Sequence, residues 1–301
     1  MSTPASLKHV VLTRFNLPSR GTEQLIRNRD GWLRERVGLF EQYCLPSMLG
    51  QTERHFSWII YFDDASPQWL KDWAGSKAAA GAFIPIYRPE VPRRALLADI
   101  AQTGLAGETF LLTTNLDNDD GLALNFVEVV QAAAASINER TAIYLTRGLI
   151  RGPAGLYIRQ DKDNAFCSVV EPMQAPVTCW TDWHNRLSQT MPTRRIAGSP
   201  AWLQVVHRSN VSNRTRGRLI SPEPYRHLFA DALGDVPTQR RAAILRDRVI
   251  DVPVRALRDA SRGGVKRVAM GVLGKSGFDR TRNAVALARR GTAASSMGGA
   301  S

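Results

Sequence analysis

Short apolar runs ending abruptly in polar residues alternate four times with stripes at helical spacing, and few folds accommodate that order. Val10-Val11-Leu12 leaves into Thr13-Arg14-Phe15-Asn16, and Phe56 to Phe62 runs straight into Asp63-Asp64. Between them Leu33, Val37, Phe40, Cys44 and Met48 mark a helix that Gly50 should stop, with Pro46 expected to kink its last turns. A helix from about Gln68 to Ala80, a short strand at Phe83 to Tyr87 and a helix from about Arg94 to Thr103 repeat the pattern. They lead to Glu108 to Gly121, an apolar run that ends in Asp117, Asp119 and Asp120. Such alternation predicts an α/β fold: a Rossmann-like, mostly parallel sheet with helices on both faces and ligands beyond the carboxyl ends of its strands.

The acidic strand end carries the chemistry. Successive strand side chains point to opposite faces, so Asp117 and Asp119 can share one side and hold a hard divalent cation. The plainer reading is that Asp119 or Asp120 caps the following helix, whose stripe would run through Leu122, Phe126, Val129, Val130, Ala133 and Ile137. Both can hold at once. After a strand at Ala142 to Leu145 the texture changes, with Gly148, Gly152, Pro153 and Gly155 leading to a hairpin expected of Leu156 to Arg159 with Ala165 to Val170. Trp180 to Asn185 is expected to be a short helical segment, and Trp202 to His207 a last strand with a His at its end. The expected organisation is one domain over 1–250, with a nucleotide-binding half (1–140) and an irregular acceptor half (141–250). A basic, partly helical or disordered tail (251–301) follows.

Charge narrows the partners. The net charge of +13 over 301 residues implies an anionic partner. The last part of the chain sets ten Lys and Arg, from Arg255 to Arg290, against Asp251, Asp259 and Asp279 only. Nucleic acid is disfavoured, since no recognition motif is present and the charge lies largely outside the folded part. Val254, Leu257, Val265, Val268 and Met270 among those cations suit peripheral contact with an anionic membrane. Cys44, Cys167 and Cys179 show no paired spacing and sit in apolar surroundings, as core thiols of a cytoplasmic protein would. Gly274-Lys275-Ser276 imitates a phosphate-binding loop, but no strand and metal-binding Asp follow it. Serine-hydrolase and zinc spacings are absent.

Val10 to Asn16, Cys44 to Thr52 and Trp58 to Ser66, taken together and in that order, resemble the opening of GT-A glycosyltransferases related to glycosyltransferase family two. With Leu116 to Ala123 and Trp202 to His207 added, the chain is most similar to the putative rhamnosyltransferase family of bacteria over about residues 8 to 225. The resemblance implies a nucleotide-sugar donor, a glycan or lipid-linked acceptor and a divalent metal, Mn or Mg. It places nucleoside contacts on Thr13, Arg14, Asp63 and Asp64, and metal contacts on Asp117, Asp119 and His207. The chain departs from the pattern in lacking a Glu-Asp pair for the catalytic base. An inverting transfer needs a group to take the acceptor's proton, and Asp182 is the first choice and Glu171 the second, with His184 to orient it. The competing reading is a non-catalytic basic adaptor for nucleic acid or membrane on an inactive transferase fold.

Overall fold

In the computed structural model, residues 6–18, 31–104, 107–207 and 215–255 are described. Strands β1 (Leu7–Arg14), β2 (Ser57–Phe62), β3 (Ile84–Tyr87) and β4 (Phe110–Asn115) pair in parallel in the order β3-β2-β1-β4. Val10 to Leu12, Trp58 to Phe62, and Leu111 with Leu112 are apolar and buried because both faces are covered there, whereas β3 lies at the edge and is only partly buried. Val11, Ile60 and Leu112 point into one buried layer with Phe40, Trp58 and Phe62, and Val10, Leu12, Ile59, Tyr61 and Leu111 into the other.

The helix after β1 is built in three pieces: α1 (Trp32–Leu39), a π-helical turn (Phe40–Cys44) and α2 (Leu45–Leu49). Pro46 has no N–H and its ring crowds the preceding turn, so the backbone widens ahead of it and Leu45 N–H reaches back to the Phe40 carbonyl. The expected kink is therefore a widened turn. Gly50 ends the helix with an ordinary φ of −85°. A Cβ there would lie 2.6 Å from Leu124 Cδ2 and 3.0 Å from the Pro46 carbonyl, so close packing rather than left-handed backbone favours glycine. Helices α3 (Gln68–Ala79) and α4 (Arg93–Gln102) follow the sequence pattern.

Beyond Asn115 the structure departs from the sequence reading. Gly121–Leu122 forms a short strand, β5, and helix α5 (Phe126–Ala134) starts later than its apolar stripe suggested. Strands β6 (Thr141–Leu145), β7 (Arg147–Gly152), β8 (Gly155–Gln160) and β9 (Ser168–Pro172) come next. The hairpin joins β7 to β8, not the segments around Lys162. Gly148 sits beneath the Trp202 ring, where a Cβ would collide with the indole, so it marks close approach within a strand rather than a loop. Strand β9 enters the first sheet antiparallel between β4 and β6, and β10 (Thr193–Ile196) closes that edge parallel to β6. Strands β11 (Trp202–Val205) and β12 (Arg218–Ile220) complete a second sheet in the order β12-β8-β7-β11-β5. Residues 180–185 form turns rather than a helix, and a 3-10 turn occupies Leu187–Gln189.

The chain divides into two units between Ile244 and Leu245. Helix α6 (Arg241–Arg246) spans that boundary and a π-helical turn, Asp247–Asp251, follows it. In the second unit Arg255 pairs with the buried Asp247 at 2.7 Å, while Leu245, Val249, Ile250 and Val254 are exposed. The phosphate-loop imitation at Gly274 to Ser276 and most of the basic tail lie outside the described residues.

Candidate active site

Register places the ends of β1 and β4 side by side, with Leu12 opposite Asn115. Beyond them opens a cavity of about 620 Å³ lined by Arg14, Asp117, Trp180, Asp182, Trp183 and His184, with Trp202 and Gln204 from the second sheet. The Arg14 guanidinium lies 4.0 Å over the Trp180 ring, whose N–H donates to Asn115 Oδ1 at 2.7 Å. Burial works against the Arg14 charge and lowers its pKa, although Cys179 and Asp117 favour the cation. A cation held on an aromatic face at a strand exit is suited to an anionic ligand.

The acidic loop is fastened by Asn118 and Arg36, which sequence reasoning passed over, and by His207, which it named. Asn118 Nδ2 donates to the carbonyls of Arg14 and Phe15, both at 2.7 Å, tying the loop to the β1 exit. Arg36, on α1, donates to Asn118 Oδ1 at 3.2 Å and to Asp119 Oδ2 at 2.6 Å, and its guanidinium lies 5.0 Å over Trp32. His207 Nε2 stands 2.9 Å from the same Asp119 oxygen. Nothing in local spacing links Arg36 to Asp119, 83 residues apart.

Three carboxylates this close disturb one another. Desolvation and the Asp119 charge push Asp117 up to about 6, although its side chain opens to the cavity. Asp120 is raised well above the usual carboxylate range by burial and by both neighbours. Burial also acts to raise Asp119, but the His207 hydrogen bond and the Arg36 charge outweigh it and hold this carboxyl low. Asp120 Oδ1 accepts the Val205 N–H at 2.8 Å, joining the acidic loop to β11, while its buried Oδ2 has no hydrogen-bond partner among the described residues. Neither Asp119 nor Asp120 caps α5, which begins after Asn125 with no side-chain cap. The donor chemistry fits a hard divalent cation, because uncompensated carboxylate charge is what such an ion relieves. At Asp119 that relief comes from Arg36, and among the described residues no three His, Cys, Asp or Glu side chains converge as a metal-binding group.

The other expected residues separate by position. Thr13 is fully buried and its Oγ1 accepts the Trp58 N–H at 3.0 Å, so it joins β1 to β2 instead of facing a ligand. Asp63 Oδ1 accepts the Ala65 N–H at 2.9 Å, and Asp64 is exposed with its carbonyl on Lys71 Nζ; neither lines the cavity. Asn16 organises that corner by accepting the Asp63 N–H and donating to Ser66 Oγ. Glu171 is wholly buried in β9, where it takes Arg140 Nε at 2.7 Å and the N–H groups of Val177 and Thr178. That removes it from the cavity and makes it an anchor. Thr178 has a left-handed φ of 69°, a strained position that those bonds hold. From this anchor the chain reaches Asp182, whose Oδ1 accepts the Trp183 N–H at 2.7 Å with Arg186 at 3.9 Å. His184 also faces the cavity, and burial lowers its pKa. Asp182, His184, Arg14 and Asp117 are therefore brought together, with Asp119 and His207 paired behind the acidic loop's turn.

The model of a family described as "Putative rhamnosyl transferase" matches residues 8–219. No curated protein matches the chain. Among solved structures, S. aureus TarS in complex with UDP aligns at 11% identity over 77% of this chain and 67% of its own, with a TM-score of 0.41. A putative nucleotide-diphospho-sugar transferase from Desulfovibrio desulfuricans aligns at 10% identity over 67% and 82%, with a TM-score of 0.35. The inositol-1-phosphate CTP transferase from T. maritima aligns at 8% identity over 78% and 100%, with a TM-score of 0.37.

Proposed function

This chain belongs to the Putative rhamnosyl transferase family, and from that premise we propose that its cavity moves a sugar from a nucleotide diphosphate to a glycan or lipid-linked acceptor with inversion. One observation carries the reading: a cation at the β1 exit, a carboxylate at the β4 exit and a third group, Asp182, line the same cavity. The diphosphate lies at the Arg14 and Asp117 end, where the guanidinium takes up charge that grows as the bond from the anomeric carbon to the diphosphate oxygen breaks. The acceptor hydroxyl attacks from the opposite side of the sugar. As its oxygen bonds to the anomeric carbon, its proton passes to the Asp182 carboxylate. His184 stands beside Asp182 on the cavity wall and orients it. A divalent ion, Mn or Mg, would require Asp117, Asp119 and His207 to close on it, since among the described residues they do not converge as a group, and would draw charge off the departing diphosphate. The basic tail brings the enzyme to an anionic membrane surface when the acceptor is lipid-linked.

The test is a thermal-shift screen of nucleotide sugars, dTDP-rhamnose among them, with and without manganese. A ligand of the native state raises the melting temperature, and the expected result is a nucleotide-sugar shift that manganese enlarges and Asp119→Ala makes insensitive to manganese. A melt that no nucleotide sugar moves, with or without metal, would overturn the transferase reading.

A further inference from the structure

Three of the seven tryptophans in the chain line one cavity, and they are not equivalent. Trp202 is buried, stacked on Phe166 at 5.0 Å with its N–H on the Leu145 carbonyl. Trp180 has one face under Arg14 and its N–H on Asn115. Trp183 is 71% exposed, the highest value among the large apolar side chains described, and makes no aromatic or cation–π contact among the described residues.

Its main chain, in contrast, is fixed. The Trp183 N–H donates to Asp182 Oδ1 at 2.7 Å, its carbonyl accepts the Arg186 N–H at 2.8 Å, and the next carbonyl, that of His184, accepts the Tyr144 hydroxyl. A large rigid ring is thus held out over the cavity mouth on a pinned backbone. Little main-chain freedom is left to lose when something covers the ring, and an indole has only two side-chain torsions to fix. An indole left in water forgoes the stabilisation that burying its apolar face would give.

The surroundings say what covers it. Thr181, Asp182 and His184 adjoin Trp183 in the chain, and Asp161, Asn164 and Gln204 line the same cavity. An acyl chain would desolvate those groups with nothing in return. A pyranose has an apolar face of C–H groups and a rim of hydroxyls, which suits an aromatic plane ringed by carboxylates and amides. We infer that Trp183 is the stacking platform of an acceptor subsite and that the group accepting the transferred sugar is itself a pyranose ring, seated on the indole with a hydroxyl toward Asp182. The assignment rests on the transferase reading for the word acceptor, while the sugar subsite stands on the geometry alone.

The experiment uses the full-length chain and saturation-transfer NMR with methyl α-D-glucopyranoside and methyl α-L-rhamnopyranoside, with sorbitol as an open-chain polyol of similar hydroxyl content. In parallel, melting shifts with UDP and dTDP are recorded for wild type, Trp183→Ala and Trp183→Phe. Expected is pyranoside binding by wild type, with saturation strongest at the ring C–H protons, and weak or no response from sorbitol. Trp183→Phe should retain that binding and Trp183→Ala weaken it roughly two- to tenfold, the range for one aromatic contact. The nucleotide shifts should be unchanged in both variants. Equal pyranoside binding by wild type and Trp183→Ala, no pyranoside binding by wild type, or equal response to sorbitol would each overturn the proposal. So would a nucleotide shift lost in Trp183→Ala alone, which would place the nucleoside on the indole. Wild type that binds pyranosides through Trp183 but responds to no nucleotide supports the subsite and refutes the transferase reading instead.

Discussion

Asp117 and Asp182 face the same cavity, but their surroundings differ in kind. Burial and the Asp119 charge raise Asp117 from 3.8 to about 6, an effect that water in the open cavity screens in part, so its ionised form is less favoured in the fold than in the unfolded chain. A carboxyl raised on folding adds stability that is fully present below about 4 and lost as pH climbs through about 6. In metal-free buffer, Asp117→Asn should therefore raise the melting temperature at neutral pH and flatten its pH dependence across that window, while reducing transfer. An unaltered pH profile of the melt would show that Asp117 carries no such burden. Asp182 lies on the wall, where among the described residues the Trp183 N–H and a distant Arg186 meet its carboxylate. Asp182→Asn should lower kcat by about 10² to 10⁴, the usual contribution of a general base, with the nucleotide-induced melting shift intact. Full turnover in that variant would move the proton acceptor elsewhere.

At the scale of elements, the strand and helix alternation through β4 was legible because burial on both faces leaves long apolar runs with clear ends. The second half was not, for reasons visible in single residues. Gly148 reads as a loop residue in a sequence, whereas it makes room for Trp202. Glu171 reads as an available carboxylate, whereas a fully buried strand position and three donors make it a fastening. Arg36 carried no local signal because its partner comes from a different element. Asp117 and Asp119 were legible at the end of β4 and His207 at the end of β11, but the pairing of Asp119 with Arg36 was not, and among the described residues the three do not converge as a metal-binding group. Glu171→Gln should cost roughly 3 kcal/mol, the low end for breaking a buried ion pair, because Arg140 still reaches solvent. Chemical denaturation measures it directly, and a midpoint equal to that of wild type would show that the Thr178 turn is held by other contacts.

For the molecule as a whole, charge and apolar surface concentrate toward the C-terminal end of the chain. Leu245, Val249, Ile250 and Val254 are exposed in a segment followed by nine further cations from Arg258 to Arg290. Among the described residues no helix is long and apolar enough to cross a membrane. Apolar side chains can settle among headgroups while each nearby Lys or Arg adds about 1 kcal/mol on an anionic leaflet. Full-length protein should co-sediment with anionic vesicles at low salt, less at high salt and little with neutral ones, and the double variant Leu245→Asp, Val249→Asp should bind less. Sedimentation unaffected by the two substitutions would assign the interaction to charge elsewhere. The direction of β9 has a consequence of another sort. Because β9 runs antiparallel, from Ser168 opposite Thr114 down to Pro172 opposite Phe110, the chain must travel back along the sheet to bring Trp180 and Asp182 to the cavity. Side chains of Thr113, Asn115 and Glu171 hold that return path, rather than the ladder of a strand. Between Pro172 and Thr193 no strand ladder constrains the chain, so a length change there would leave every neighbouring register as it is and move only the wall that carries Asp182 and Trp183.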